Sequence, residues 1–348
     1  MIKPGIKLKL LALLTLCPAL FFHTAKPHDS VVFTELDESS SSASGHWTET
    51  HILTKDAYLL PYRSWHPPER EPDAIVLGLH GLNDYSAGLT KLAKYLAENH
   101  RVATYTYDQR GFGANLDRGQ WAGEKQLISD AQFVSHLLAE RYPDKPLFIV
   151  GHSIGGDIAI RLVVDQQPEH VDGLVLIAPA VWGRDEMPWY QRSGLWIATH
   201  LIPKLELSSE WGGAKPTDNP RELYKLRIDP LVQSTVKAGH LGKITALMSS
   251  ALEATEELHL PTLILYGKKD EIVPEEPICT MLERLPDPPA GQWRFALYPQ
   301  GHHLLTRDLQ RHLVLEDIGA WISAGHDEEA LPSNQETERQ QAIQTLCR

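Results

Sequence analysis

The sequence predicts an α/β protein with a mostly parallel sheet and helices on both faces. Short, continuous apolar runs recur along the chain, and such runs are typical of strands that are buried on both sides. Between them lie segments with apolar residues at helical spacing, for example Leu89, Leu92 and Leu96. Because strands that alternate with helices are joined by crossover connections, this order indicates a central parallel sheet covered by helices.

Eight strands are expected in that sheet. The first two, 47–53 and 57–65, alternate enough between apolar and polar residues to predict an antiparallel pair joined by Lys55-Asp56. The remaining six are the apolar runs 74–79, 101–107, 147–150, 173–178, 262–266 and 293–298. Helical patterns are found at 89–96, 127–138, 154–164 and 308–322.

One connection is much longer than the others. More than eighty residues separate the sixth strand from the seventh, and an insertion of this length in an α/β domain is usually an active-site lid or cap. We therefore expect a helical cap over 181–255, inserted after the sixth strand. Its aromatic side chains either pack on the sheet or contact a substrate, and the candidates for substrate contact are Trp182, Trp189, Tyr190 and Trp196.

The two ends of the chain differ in composition from its middle. In residues 1–28, Lys3, Lys7 and Lys9 precede or enter an apolar run at 8–22, which is typical of a signal peptide or an N-terminal membrane anchor. An exported protein, periplasmic or membrane-anchored, is therefore expected, and a cytoplasmic amphipathic leader is the alternative. The serine-rich segment 29–46 is predicted to be a flexible linker, 47–324 the α/β domain, and 325–348 a polar, disordered tail.

Composition and charge exclude several functions. The formal net charge of −12 leaves no positive field that could displace phosphate counterions, so nucleic-acid binding is not expected. The cysteines, Cys17, Cys279 and Cys347, do not resemble a disulfide framework or a zinc site. Cys17 loosely resembles a lipoprotein attachment site, but the preceding Leu16 is larger than the residue usual there. Neither a metal nor an organic cofactor is implied.

The motif Gly151-His152-Ser153-Ile154-Gly155 directly follows an apolar strand. A strand, a tight turn with small residues around a serine, and a helix form a nucleophile elbow, which exposes the serine oxygen above the sheet. Such a serine can form a covalent ester with an acyl group. A plain helix cap or a phosphate-binding turn would have a similar local sequence, so further groups are needed to distinguish these readings.

An acid and a base follow Ser153 in the chain. Asp270 comes shortly after the strand at 262–266, and it can fix the tautomer of an imidazole; Glu271 is the alternative acid. The base would be one of the two adjacent histidines His302 and His303, which follow the last strand. The chain order of serine, aspartate and histidine is one of the known orders of a catalytic triad.

A tetrahedral intermediate also needs hydrogen-bond donors for its oxyanion. The residue after the nucleophile, Ile154, offers one backbone N–H, and the loop His80-Gly81-Leu82-Asn83-Asp84 after the strand at 74–79 offers the other, most simply from Leu82. We expect His80 to have a structural role in that loop rather than a role in proton transfer.

Together these motifs resemble the α/β-hydrolase superfamily, and within it the monoacylglycerol lipase and lysophospholipase group, which carries a serine aminopeptidase (S33-type) label. The resemblance covers about residues 47–323. It implies that His303 is the base, because a large apolar residue, a leucine and a polar–acidic pair follow it. It also implies that Ile154 replaces a more usual methionine. The motifs that carry it are the loop 80–86, the turn 107–113 with Asp108 and Arg110, the elbow 151–156, Asp229-Pro230-Leu231, and the segments 267–274 and 301–308.

The expected activity is hydrolysis of carboxylic esters of lipid-like substrates, a monoacylglycerol or a lysophospholipid, through an acyl-enzyme on Ser153. An aminopeptidase or an acyltransferase could use the same triad, and the former would need an acid in the cap, for which Glu186, Glu206 and Glu210 are available. A non-catalytic binding protein on a hydrolase fold is a more distant alternative. The expected partner is a small lipid or ester, with membrane association through the N-terminal segment as a further possibility.

Overall fold

A central sheet of nine strands organises the described part of the chain. The computed structural model describes residues 45–68, 70–208, 214–287, 292–324 and 331–347; the predicted signal segment and nearly all of the predicted linker lie outside these ranges. The sheet strands are β1 (His46–Trp47), β2 (His51–Leu53), β3 (Leu59–Trp65), β4 (Ala74–Leu79), β5 (Val102–Tyr107), β6 (Leu147–His152), β7 (Gly173–Ile177), β10 (Thr262–Gly267) and β11 (Trp293–Tyr298).

The spatial order of the strands is β1-β2-β3-β5-β4-β6-β7-β10-β11. The strands from β5 to β11 pair in parallel, and β3 joins β5 in antiparallel orientation. This confirms the predicted mostly parallel sheet. The predicted number of eight strands was wrong because the first predicted strand is split: the Thr48 N–H and hydroxyl both donate to the His51 carbonyl at 2.8 Å, which bends the chain between β1 and β2.

Helices cover both faces of the sheet. Alternate residues of each buried strand face opposite layers: Leu147 and Ile149 of β6 pack with one core cluster, and Phe148 and Val150 pack with the other. The first layer contains α2 (Glu124–Arg141), α3 (Ile154–Gln166), α6 (Ala238–Ala254) and α7 (Glu275–Arg284). The second contains α1 (Thr90–His100) and α8 (Arg311–Ser323).

The insertion between β7 and β10 contains α4 (Trp189–His200), β8 (Glu206–Ser208), α5 (Pro220–Ile228) and β9 (Thr235–Lys237). A small antiparallel pair, β8 with β9, closes this unit. Helix α6, the last part of the predicted cap, packs on α3 and contributes Leu247, Ala251 and Leu252 to the main core, and it also packs on α4. The limits of the cap stay a prediction, and the word cap is used below for the described residues from 181 to 237. Within the described ranges, no helix is both long and apolar enough to cross a bilayer.

The prediction of a disordered C-terminal tail was wrong for residues 331–347. Helix α9 (Arg339–Leu346) packs on α7, and Cys347 forms a disulfide with Cys279 of α7. Before α9, the chain runs along the free edge of β11, where the Leu297 N–H donates to the Gln335 carbonyl at 3.0 Å. The buried side chains Ala342 and Leu346 belong to the main core. The segment is thus a strap that covers the last strand of the sheet.

Candidate active site

Ser153 occupies a sharp turn between β6 and α3. Its backbone has φ +54° and ψ −124°, a conformation that costs a non-glycine residue about 1–3 kcal/mol. The turn requires small neighbours: a Cβ on Gly151 would lie 2.5 Å from the Gly155 carbonyl oxygen, and one on Gly155 would lie 2.3 Å from the Leu79 carbonyl oxygen. The Ser153 N–H donates to the Ile177 carbonyl at 3.0 Å. The strained turn is therefore held firmly against the neighbouring strands.

Asp270 and His303 meet on the loops that follow β10 and β11. The His303 Nδ1–H donates to Asp270 Oδ2 at 2.7 Å, and both side chains are almost completely buried. The other carboxylate oxygen accepts the backbone N–H groups of Ile272 and Val273, at 2.7 and 2.9 Å. These donors fix the carboxylate, and the carboxylate fixes the imidazole with its proton on Nδ1, so that Nε2 is the basic nitrogen.

The imidazole of His152 holds the His303 loop beside the elbow. Its Nε2–H donates to the His303 carbonyl at 3.1 Å, and the two rings lie 5.0 Å apart. Burial, and then the neighbouring His303, lowers the pKa of His152 well below its usual value. His152 therefore stays neutral at pH 7, and because it directly precedes Ser153, it connects the predicted nucleophile to the loop of the predicted base.

His302 is paired with a different acid. Its backbone N–H donates to Asp308 Oδ2 at 2.7 Å, and its Nδ1 lies 3.5 Å from the same oxygen. The side chains of His302, Asp308 and Asp218 of the cap lie close enough together to hold a metal ion. The Asp218 backbone N–H also donates to Asp308 Oδ1 at 3.3 Å. Burial raises the pKa of Asp308. Of the two adjacent histidines, only His303 forms the hydrogen bond with Asp270.

The loop after β4 lies against the elbow. A Cβ on Gly81 would lie 3.2 Å from the Ser153 Cβ, so the segment that contains Leu82 borders the turn. Ile154 is the first residue of α3, and the N–H groups at the start of a helix have no partner within the helix. The two predicted oxyanion donors, Leu82 and Ile154, are thus on the two segments that meet at Ser153.

His80 fixes the conformation of this loop. Its Nδ1–H donates to the Gly81 carbonyl at 2.9 Å, and its Nε2 accepts the Gln109 N–H at 3.0 Å. Burial lowers the pKa of His80, so the ring remains neutral and both of its nitrogens are used in structural bonds. This arrangement agrees with the structural role expected from the sequence.

A buried ion pair joins two loops: the loop at 80–86, which carries the predicted donor Leu82 and is called the oxyanion loop, and the loop at 301–308, which is called the histidine loop. The guanidinium of Arg307 contacts the carboxylate of Asp84, and both side chains are about nine-tenths buried. The Arg307 Nε–H also donates to the Gly88 carbonyl at 3.0 Å. The sequence places both charged residues in family motifs but gives no reason to pair them, because they are more than two hundred residues apart.

The cap is bound to the same oxyanion loop. The Gln233 N–H donates to the Asn83 carbonyl at 2.9 Å, and the Tyr85 hydroxyl donates to Asp229 Oδ2 at 2.7 Å. Burial, and then the hydrogen bond to Asp229, raises the pKa of Tyr85 to about 12. The motif Asp229-Pro230-Leu231 therefore has a visible structural role, which is to anchor the cap beside the elbow.

Asp157 is a buried acid that the sequence analysis missed. It lies in the first turn of α3 and is completely buried, and neither carboxylate oxygen makes a hydrogen bond with the described residues. Burial raises its pKa well above the usual value, and only the nearby backbone N–H of Ala180 opposes this shift. In the sequence, an aspartate in the first turn of a helix is typical of an exposed position, so nothing marked Asp157 as buried.

The aromatic residues that were predicted to contact substrate lie on the cap in different environments. Trp182 is half-buried just after β7, whereas Trp189 and Trp196 of α4 are 73% and 56% exposed. Tyr190 packs edge-to-face against Trp189, with ring centroids 6.1 Å apart. Contact of these four side chains with an acyl chain stays a prediction.

The strand order, the turn at Ser153 and the position of the acid–base pair define the class of the protein, which is an α/β-hydrolase. More particularly, the Hydrolase_4 family, described as serine aminopeptidase, S33, matches residues 70–310, and the chain belongs to this family.

Similar proteins include several monoacylglycerol lipases. The monoglyceride lipase of Rattus norvegicus is 26% identical over 284 residues, which cover 78% of this chain and 89% of that protein. The monoacylglycerol lipase of Mycolicibacterium smegmatis is 23% identical, covering 75% of this chain and 91% of that protein. A soluble variant of the Saccharomyces cerevisiae monoglyceride lipase, solved with a substrate analogue, superposes with a TM-score of 0.66 at 20% identity over 86% of this chain and 99% of that chain. The resemblance to this group is thereby confirmed.

Proposed function

We propose that the protein is a serine hydrolase that cleaves carboxylic esters of lipid-like substrates, either a monoacylglycerol or a lysophospholipid. The observation that carries the proposal is the 2.7 Å hydrogen bond between His303 and Asp270, on loops held beside the strained turn at Ser153. An imidazole oriented by a buried carboxylate is the group that a serine hydroxyl needs to become a nucleophile at neutral pH.

In the proposed reaction, the Ser153 hydroxyl oxygen attacks the ester carbonyl while its proton moves to His303 Nε2. The resulting oxyanion accepts backbone hydrogen bonds from Leu82 and Ile154, and the imidazolium is stabilised by Asp270. Collapse of the intermediate breaks the ester C–O bond, and the alcohol leaves with the proton from His303. A water molecule then repeats the sequence on the acyl-enzyme, which releases the fatty acid and restores the serine.

The lipid-like substrate is supported by the named activities of the relatives and by the charge of the protein. Relatives that match about three quarters of this chain are called monoglyceride or monoacylglycerol lipases. The net charge of −12 disfavours strongly anionic soluble substrates and is compatible with neutral or zwitterionic ones.

A second candidate, an aminopeptidase, is favoured by one detail of the cap. One carboxylate oxygen of Glu186 is buried and has no hydrogen-bond partner among the described residues, and a free amine would satisfy it. Glu206, another acid considered for this role, is exposed, and Glu210 lies outside the described residues. An acyltransferase would differ only in the nucleophile that attacks the acyl-enzyme.

Two measurements test the proposal. A fluorophosphonate probe should label the folded protein, and Ser153→Ala should abolish the labelling; a folded protein that resists the probe would instead support a non-catalytic binding protein. Turnover of p-nitrophenyl esters of increasing chain length should then exceed turnover of an aminoacyl-naphthylamide, and the ester activity should fall in Ser153→Ala. Preference for the amide would favour the aminopeptidase and refute the lipid esterase.

We also propose that the protein is exported, and is periplasmic or membrane-anchored. The basic and apolar composition of residues 1–28 supports export, and so does the disulfide between Cys279 and Cys347, because disulfides persist in oxidising compartments and are rare in the cytosol. Cell fractionation checks this: a full-length chain found only in the cytosol, with reduced thiols, would contradict it.

A further inference from the structure

Three side chains where the cap meets the histidine loop form a group that the proposed reaction does not use. His302 and Asp308 belong to the histidine loop, and Asp218 belongs to the cap. Each of them offers one ligand atom, an imidazole nitrogen or a carboxylate oxygen, and these three atoms lie within 4.8 Å of one another. No motif in the sequence indicates the group, because Asp218 is far from the other two residues along the chain.

The side chain of His302 lacks a hydrogen bond at its buried nitrogen, although its backbone N–H has one. The residue is 9% exposed, and Nδ1 is buried without a hydrogen-bond partner among the residues that the structure describes. Nδ1 lies 3.5 Å from Asp308 Oδ2, which is longer than an ordinary N–H···O hydrogen bond. Two ligands that are each about 2.1 Å from a tetrahedral zinc ion lie about 3.4 Å from one another. The two atoms are therefore spaced as two ligands of one ion.

Backbone N–H groups hold both carboxylates in position. Asp308 Oδ2 accepts the His302 N–H at 2.7 Å, and Asp308 Oδ1 accepts the Asp218 N–H at 3.3 Å. Asp218 Oδ1 accepts the Leu309 N–H at 2.8 Å. In the described ranges, no lysine or arginine forms an ion pair with either carboxylate. Buried charges are normally paired or bound to a metal ion, and a divalent cation would stabilise these two.

We propose that His302, Asp308 and Asp218 bind a zinc ion, with a water molecule as the fourth ligand. Zinc accepts imidazole nitrogen together with carboxylate oxygen, whereas calcium and magnesium prefer oxygen ligands alone. Asp218 is only partly buried, so the ion can enter from solvent on the side of the cap. This site goes beyond the proposed function: the ion takes no part in ester hydrolysis, and it ties the cap to the loop that carries His303.

Isothermal titration calorimetry of the full chain with zinc alone tests the ligands. One tight zinc site per chain is expected, and calcium or magnesium should not displace the ion. Asp218→Asn and His302→Ala should each weaken zinc binding roughly ten-fold or more, because even the loss of a group that only supports a ligand costs that much. Asp185→Asn and His312→Ala are matched controls, since they make the same substitutions at exposed side chains outside the site. Both controls should bind zinc as the unaltered protein does.

Amide hydrogen exchange and thermal unfolding test where the ion binds and what it stabilises. Zinc should slow exchange in peptides that contain the N–H groups of Asp218, His302 and Leu309, because these groups donate to the carboxylates that the ion fixes. Zinc at a hundred times its Kd should raise the midpoint of thermal unfolding by about 5 °C, and His302→Ala should abolish the rise. No thiol reductant is present, so Cys279 and Cys347 stay joined and offer no thiolate to the ion.

The absence of saturable zinc binding by the unaltered protein would overturn the proposal. Zinc affinity that a folded ligand variant leaves unchanged would place the ion elsewhere, and displacement by calcium would mean a site of oxygen ligands alone; either result also contradicts the proposal. If His302→Ala does not fold, Asp218→Asn at its partly exposed position still decides. Because no substrate is used, a chain that binds zinc but hydrolyses no ester would refute the proposed hydrolysis alone.

Discussion

Replacement of Asp157 by asparagine should change how the stability of the fold depends on pH. The carboxyl is completely buried beside the elbow and makes no hydrogen bond with the described residues. Burial raises its pKa well above 3.8, so in the folded protein it keeps its proton at pH values where the unfolded chain has lost it. The free energy of unfolding is therefore not reduced by this group below about pH 4, and it falls as pH rises toward the folded-state pKa of Asp157.

The size of the effect follows from proton linkage. Between the two pKa values the unfolded state binds one proton fewer at this position, so the free energy of unfolding falls by about 1.4 kcal/mol for every pH unit. Asparagine cannot ionise, and its own unpartnered amide costs the same at every pH. The difference in free energy of unfolding, variant minus wild type, should therefore rise with that slope and level off once the wild-type carboxyl ionises.

Urea unfolding followed by near-ultraviolet circular dichroism at several values between pH 5 and pH 8 measures this difference. Asp185→Asn is a matched control, because it makes the same substitution at a side chain that is fully exposed in the cap, where its contact with Arg192 at 3.7 Å is screened by solvent; its difference from wild type should stay nearly flat. A difference for Asp157→Asn that is equally flat across this range would refute the reasoning, because it would mean that the folded protein accommodates the charged carboxylate without cost.

Three other predictions concern the predicted base, the disulfide and the buried ion pair. His303→Ala should lower kcat for ester hydrolysis by about 10³-fold or more, and His302→Ala should retain most activity; inactivity of the His302 variant alone would reverse the assignment of the base. Cys347→Ser should lower the free energy of unfolding by about 4 kcal/mol, from the loop-entropy relation applied to a separation of 68 residues, and an unchanged urea midpoint would contradict this. Arg307→Met should cost about 3–5 kcal/mol, because it leaves the buried Asp84 carboxylate unpaired, and the double variant with Asp84→Leu should recover part of the loss in the same assay.

The sheet and the segments of the candidate site could be predicted because their signals are local. A strand such as β6 is a continuous apolar run that lies entirely inside the protein, and the turn at Ser153 needs glycines at fixed neighbouring positions. Parallel strands bring their carboxyl ends to one edge of the sheet, so the loop order alone indicates that Asp270 and His303 meet. The choice of His303 over His302 came from the family motif and not from the spacing of the two residues.

The features that the sequence did not predict depend on distant partners. The strap at 331–347 is mostly polar. Its few buried apolar residues, such as Ala342 and Leu346, are buried because they contact a core that other elements form. Its disulfide joins two cysteines 68 residues apart, and spacing alone cannot identify such a pair. The exposure of Trp189 and Trp196 on α4 was equally hidden, because tryptophan side chains are on average highly buried.

The hydrogen bonds between the cap and the oxyanion loop connect the cap to the candidate active site. Asn83 and Tyr85 of that loop are bonded to Gln233 and Asp229 of the cap, and the intervening Asp84 is paired with Arg307 of the histidine loop. The cap, the oxyanion loop and the histidine loop are therefore connected through three consecutive residues. A displacement of the cap that breaks the contacts of Asn83 and Tyr85 would free the backbone on either side of Asp84. The neighbouring Leu82, a predicted oxyanion donor, would then no longer be held in place.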